Sequence, residues 1–144
     1  YANIFPEELK TKNNIPGKDQ MKILVVEDEL AYRKMFYSIL SDENYFVELA
    51  SDGVKALMSI AKNKFDLIIS DINMPDFDGF QLLEYMNKKN INIPVIFITA
   101  NKDDEYETKG LKLGASEFMR KPVNWEALLI KVAKIKKKLF NKNV

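Results

Sequence analysis

Five short apolar runs, each followed by a stretch of helical periodicity, constrain this chain more than any other feature. The runs cover residues 22–27, 46–50, 66–70, 94–98 and 116–119. They are rich in Val, Ile, Leu and Phe and are bounded by turn residues, so they read as buried strands. Between and after them, helices are expected over 30–42, 53–63, 79–89, 103–113 and 124–140. Tyr32, Phe36, Ile39 and Leu40 fall near one face of the first helix. Val54, Leu57, Met58 and Ala61 follow i, i+3, i+4, i+7 spacing in the second, where Asp52 is placed to cap. Leu82, Leu83 and Met86 point inward from the third. Trp125, Leu128, Leu129, Val132, Ile135 and Leu139 trace a stripe along the last. The fourth, opened by Asp103, Asp104 and Glu105, has a thin apolar face.

Strand-helix alternation with short connections implies an α/β domain: a doubly wound, five-stranded parallel sheet with helices on both faces. Right-handed crossovers leave few topologies, and the flavodoxin-like order 2-1-3-4-5 places strands one and three side by side. Both of those strands run into acid. Glu27-Asp28-Glu29 follows the first, and Asp71 follows the third. Ligands of open α/β sheets bind outside the carboxyl ends of the strands, where strand order reverses. Glu27, Asp28 and Asp71 are therefore expected to converge. Three adjacent carboxylates repel, and a hard cation is the usual remedy. Thr99 ends strand four and Lys121 follows strand five, on the same sheet edge. Acids, a hydroxyl and an ammonium on one rim suit phosphoryl transfer to a carboxylate, with Asp71 attacking in line to give an acyl phosphate.

Composition narrows the classes. A chain of 144 residues with 47% hydrophobic content fits one domain with a real core. No run of about 18 apolar residues and no signal-peptide pattern occurs, so no membrane association is expected. Cysteine is absent, which removes disulfide and thiol chemistry and fits the cytoplasm. Histidine is absent too, which removes imidazole acid-base catalysis, histidine metal ligands and a histidine phosphoacceptor. The net charge of +1 conceals six lysines and no acid over residues 131–144, so residues 1–130 sum to −5. Those lysines read as the solvated face of an amphipathic helix, and direct nucleic-acid binding is not expected. Residues 1–20, with Pro6, Pro16, Asn13-Asn14 and Gly17, read as a leader, linker or tag before a domain spanning 21–144.

Five segments, in order and at domain spacing, resemble the receiver domain of two-component response regulators. They are Ile-Leu-Val-Val-Glu-Asp-Glu at 23–29, Ser-Asp-Gly-Val-Lys-Ala-Leu at 51–57 and Asp-Leu-Ile-Ile-Ser-Asp-Ile-Asn-Met-Pro-Asp-Phe-Asp-Gly at 66–79. Pro-Val-Ile-Phe-Ile-Thr-Ala at 94–100 and Gly-Ala-Ser-Glu-Phe-Met-Arg-Lys-Pro at 114–122 complete the set. The resemblance implies Asp71 as phosphoacceptor and Mg²⁺ as cofactor. Asp28 would be a direct metal ligand, Glu27 would act through water, and Asn73 would offer its backbone carbonyl. It implies Thr99 and Phe118 as a switch pair, Thr99 moving toward the phosphate and Phe118 turning inward. It implies Lys121 as the phosphate-binding lysine, joined to Pro122 by a cis bond.

Two positions depart from the commoner pattern. Glu27 stands where many relatives carry Asp. Phe118 stands in place of Tyr and has no hydroxyl to bond in either rotamer. The implied partners are a histidine kinase or histidine phosphotransfer protein and a downstream protein or domain, with homodimerisation through the last helix region possible in principle. On this reading the domain is not an enzyme toward other substrates, although it would catalyse its own phosphorylation and dephosphorylation. A haloacid-dehalogenase-type phosphatase would want a second acid where Asn73 stands. A flavin carrier would want a phosphate-cradling loop where Glu27-Asp28-Glu29 stands. A pseudo-receiver that binds partners without phosphorylation would typically lack an acid or the lysine. Asp28, Asp71, Thr99 and Lys121 are all present.

Overall fold

The structure is a computed structural model and describes residues 16–141. Most of the leader expected over residues 1–20 therefore lies outside the described residues. Strands β1 (Lys22–Val26), β2 (Phe46–Ala50), β3 (Leu67–Asp71), β4 (Val95–Thr99) and β5 (Glu117–Arg120) alternate with five helices. These are α1 (Leu30–Asp42), α2 (Gly53–Lys62), α3 (Gly79–Lys88), α4 (Asp104–Lys112) and α5 (Trp125–Phe140). The strands form one sheet in the order β2-β1-β3-β4-β5. Every pairing is parallel. Element boundaries agree with the sequence expectations to within a residue or two, the usual uncertainty at fraying ends. No helix among the described residues is long and apolar enough to cross a membrane.

Strand periodicity splits the core in two. Ile23, Val25, Leu67, Ile69, Ile96 and Ile98 face α1 and α5, where Phe36, Leu40, Leu128 and Val132 are buried. Trp125 packs edge-on against Phe36, 5.0 Å between ring centroids. Leu24, Val26, Ile68, Val95 and Phe97 face the other layer, where Ala56, Leu82, Leu83 and Met86 are buried. With helices on both faces, β1, β3 and β4 bury nearly every residue, which is why they read as continuous apolar runs rather than alternating ones.

Local capping fixes where helices begin. Asp52 accepts a hydrogen bond from the Lys55 N–H at 2.8 Å, as expected. Asp78 and Gln81 form a reciprocal capping box at the start of α3. The second helix differs from expectation in its rotation. Its buried positions are Gly53 and Ala56, with Leu57 and Ile60 packed against the core, while Val54 and Met58 are more than half exposed. The cause is close approach at Gly53. A Cβ there would overlap the carbonyl oxygen of Phe77, so the helix can present only this hydrogen-sized face to the β3–α3 loop. In α4 only Gly110 is buried, in line with its thin apolar pattern.

Candidate functional site

Parallel pairing brings the acids together. β1 pairs with β3, Val26 opposite Ser70, so Glu27 and Asp71 leave neighbouring strand ends. The Glu27 N–H still donates to the Ala50 carbonyl at 3.0 Å, which holds its side chain over the sheet edge. Asp71 is fixed from behind by the first turn of α3. The Gly79 N–H donates to the Ile72 carbonyl at 2.8 Å. A Cβ on Gly79 would sit 2.6 Å from the Asp71 carbonyl oxygen, so this turn also needs glycine. Carboxylate oxygens of Glu27, Asp28 and Asp71 all lie within 4.8 Å of one another. Glu27 is 1% exposed and Asp71 6%, whereas Asp28 is open to solvent.

Lys121 enters this group from the far side of the sheet. Its N–H donates to the Thr99 carbonyl at 2.8 Å, and its bond to Pro122 is cis. The ammonium donates to Glu27 Oε2 at 3.1 Å and to Asp71 Oδ2 at 3.3 Å. It also lies 4.4 Å from the centroid of the Tyr32 ring, a cation–π contact from α1. One ammonium cannot neutralise three carboxylates. Burial, followed by the Asp71 charge, pushes the Glu27 carboxyl up from 4.5 to about 7, against the Glu29 N–H and Lys121. Burial also raises Asp71, outweighing the pull of Lys121. For Lys121, burial favours the neutral amine, but the hydrogen bond to Glu27 and the Asp71 and Glu27 charges prevail and hold it above its usual value.

The donor set fits a small hard cation. It consists of oxygen only, carries excess negative charge, and has one face open through Asp28. Glu27 Oε1 lies 3.0 Å from the Lys121 ammonium but outside hydrogen-bonding alignment. Among the described residues it is the buried side-chain oxygen left without a hydrogen bond. Its partner is the ionic contact with Lys121 alone, so it retains capacity to bind a cation or a cation's bound water.

The other expected residues are placed differently. The Thr99 hydroxyl donates to Asn73 Oδ1 at 3.0 Å and accepts from the Asn101 N–H at 3.0 Å. Thr99 thus shares the rim with Asp71 but spends its hydroxyl on Asn73. Phe118, opposite Phe97 in the β4–β5 register, is half-buried on the α4 side, and the Arg120 guanidinium lies 5.3 Å from its ring centroid. Sequence reasoning missed three contributors. Tyr32 flanks Lys121, the Arg33 guanidinium donates to the Glu27 carbonyl at 2.8 Å, and Tyr106 accepts from Asn73 Nδ2 at 3.1 Å. Tyr32 and Arg33 are the third and fourth residues of the helix that follows the acids, a signal available in hindsight. Nothing in the sequence pattern marks Tyr106.

The sequence and fold are similar to those of known proteins. The family model described as the response regulator receiver domain matches residues 23–133. The chain is 36% identical over 141 residues to the two-component response regulator ARR12 of Arabidopsis thaliana, covering 94% of this chain and 24% of that protein. It is 34% identical over 127 residues to the sensor histidine kinase RcsC of Escherichia coli K12, covering 88% of this chain and 13% of that protein. It thus spans a quarter or less of the length of these two relatives. Among solved structures, the receiver domain of the Francisella response regulator 1452 superposes with a TM-score of 0.80 at 32% identity, covering 83% of this chain and 99% of that one. A CheY-like receiver domain protein from Methanospirillum hungatei gives 0.79 at 31% identity, covering 85% and 98%. With a matching family model over most of its length, a shared strand order and the acidic rim where β1 and β3 end, this chain belongs to the response regulator receiver domain family of two-component systems.

Proposed function

We propose that the domain accepts a phosphoryl group on Asp71 from a phosphohistidine and thereby changes the surface it offers to a downstream partner. The carrying observation is the Glu27–Asp28–Asp71 cluster with Lys121 bonded across it. An Asp71 Oδ attacks phosphorus in line, the P–N bond to the donor imidazole breaks, and the histidine leaves. The product is an aspartyl phosphate, which water later hydrolyses back to Asp71 and phosphate. Glu27, Asp28 and Asp71, with the Asn73 backbone carbonyl, are the residues that would hold Mg²⁺. When bound, the ion offsets the negative charge shared by the carboxylates and the phosphoryl oxygens.

The chain's own groups do the remaining work. Lys121 already bonds to Asp71, so a short displacement takes its ammonium onto a phosphoryl oxygen. Burial keeps bulk water from Asp71, and the gap left open at Asp28 admits the donor. The Thr99 hydroxyl is the nearby donor for a second phosphoryl oxygen once it leaves Asn73. α4 buries only Gly110 against the sheet and is the element best able to follow that movement. The partner is a histidine kinase or a histidine phosphotransfer protein in the cytoplasm, and phosphoryl binding acts by population shift.

Intact-protein mass after incubation with Mg²⁺ and acetyl phosphate tests the reading. One hydroxylamine-labile phosphoryl adduct is expected on the wild type and none on Asp71→Asn or in EDTA. If neither acetyl phosphate nor Mg²⁺ with beryllofluoride alters the wild-type mass or amide NMR spectrum, phosphorylation is refuted. A phosphorylation-independent interaction module then takes its place.

A further inference from the structure

Asn73 joins two elements with its side chain alone. Its Oδ1 accepts from the Thr99 hydroxyl of β4 at 3.0 Å, and its Nδ2 donates to the Tyr106 hydroxyl of α4 at 3.1 Å. Thr99 Oγ1 also accepts from the Asn101 N–H at 3.0 Å, so its single proton and one lone pair are both committed. The Tyr106 ring is anchored independently of these bonds. It packs on Phe80 at 5.4 Å between centroids, and Phe80 meets Phe97 edge-on at 5.6 Å. The phenol tip is therefore held in place by the core under α3 and β4.

We propose that Tyr106 is a positioning residue that latches Thr99 in its resting orientation through Asn73, and that phosphoryl binding at Asp71 must break this latch. The inference rests on the phosphoacceptor reading. A threonine hydroxyl has one proton. While it is given to Asn73, none is available for a phosphoryl oxygen. Asn73 is exposed, and an exposed amide can turn over, presenting Nδ2 in place of Oδ1 to its neighbour. The Tyr106 hydroxyl accepts from Nδ2 and so braces the amide from the α4 side, with Oδ1 facing Thr99. Phe118, the expected aromatic of the switch, has no hydroxyl and cannot take this part. The phenol of this switch region is Tyr106, on the loosely packed α4. The resting state of α4 and the orientation of Thr99 are thereby tied together.

Tyr106→Phe keeps the ring on Phe80 and deletes only the hydroxyl. The full chain, with Mg²⁺, is titrated with beryllofluoride and followed by amide NMR. Beryllofluoride binding is expected to tighten about fivefold in Tyr106→Phe, the worth of one neutral hydrogen bond removed from the resting state alone. Affinity for Mg²⁺ alone should not change, which a general loosening of the domain would not spare. In the Thr99→Val background, Tyr106→Phe should have no further effect, since the latch has nothing left to hold. In the metal-free protein, Tyr106→Phe should move the Asn101 amide and Thr99 methyl resonances. Unchanged or weaker beryllofluoride binding in Tyr106→Phe, or the same gain persisting with Thr99→Val, overturns the latch. If wild type binds no beryllofluoride, the phosphoacceptor reading itself fails. The metal-free resonances then still decide whether Tyr106 holds Thr99.

Discussion

Glu27→Gln should stabilise the metal-free protein, which is unusual for a change at a buried site. Glu27 is 1% exposed, and its carboxyl is raised from 4.5 to about 7, chiefly by burial. Between those two values the unfolded chain has released its proton and the folded chain retains it. Stability from this group therefore falls as pH rises through that window and stays at its lower value above about 7. Asp71 is raised too and adds to the fall, while Lys121 is raised and loses its contribution only at more alkaline pH. At about 1.4 kcal/mol per pH unit, the window for Glu27 corresponds to about 3 kcal/mol. Glutamine resembles the protonated acid. It still accepts from the Glu29 N–H, which now bonds to Oε2 at 3.0 Å, but it gives up the charge facing Lys121. A gain of about 1–3 kcal/mol is expected at pH 8 in EDTA, shrinking to near zero at about pH 4.5. Urea unfolding across that pH range, with constant m-values, measures it. A loss of stability at pH 8 would refute the reasoning, as would a gain equal at both ends of the range.

Other consequences follow from the same geometry. Mg²⁺ must displace the Glu27 proton, so its affinity should rise about tenfold per pH unit below about 7 and then level off. Titration followed by Trp125 fluorescence, whose ring lies 6.0 Å from the Tyr32 ring beside Lys121, would contradict this by giving one affinity at every pH. Lys121→Met leaves Glu27 and Asp71 without their counterion. Stability in EDTA at pH 8 should fall by about 3 kcal/mol, with much of the loss recovered at millimolar Mg²⁺. An equal loss with and without Mg²⁺ would show that the lysine acts through packing rather than charge. Gly53→Ala should cost about 2–3 kcal/mol despite alanine's better helix propensity, because the new Cβ meets the Phe77 backbone. Met58→Gln, on the exposed side of the same helix, should cost under about 0.5 kcal/mol. Similar costs for the two would place the helix in a different rotation.

What the sequence made legible, and what it hid, divides along a physical line. β1, β3 and β4 are covered on both faces, so their apolar runs are continuous and short and could hardly be anything but strands. Once their order is given, the acids that end β1 and β3 must be neighbours, and Lys121 after β5 must share their edge. Backbone topology decides those placements, and residue type at strand ends records them. The rotation of α2 was hidden because its sequence offers two apolar stripes, Val54-Leu57-Met58-Ala61 and Ala56-Leu57-Ile60, and hydrophobicity alone ranks the first at least as high. The choice is made by one backbone contact, Gly53 against Phe77, from residues 24 positions apart. The bonding of Thr99 to Asn73, and the part of Tyr106 in it, were hidden for the same reason. The two residues could be read as an ordinary strand end and an ordinary helix residue. Only the tertiary approach of α4 to the β3–α3 loop puts an amide between their hydroxyls. Charge and periodicity therefore disclose where the acids and Lys121 meet. The orientations of Thr99, Asn73 and Tyr106 depend on close contacts between elements, and contacts of that kind leave no period in a single sequence.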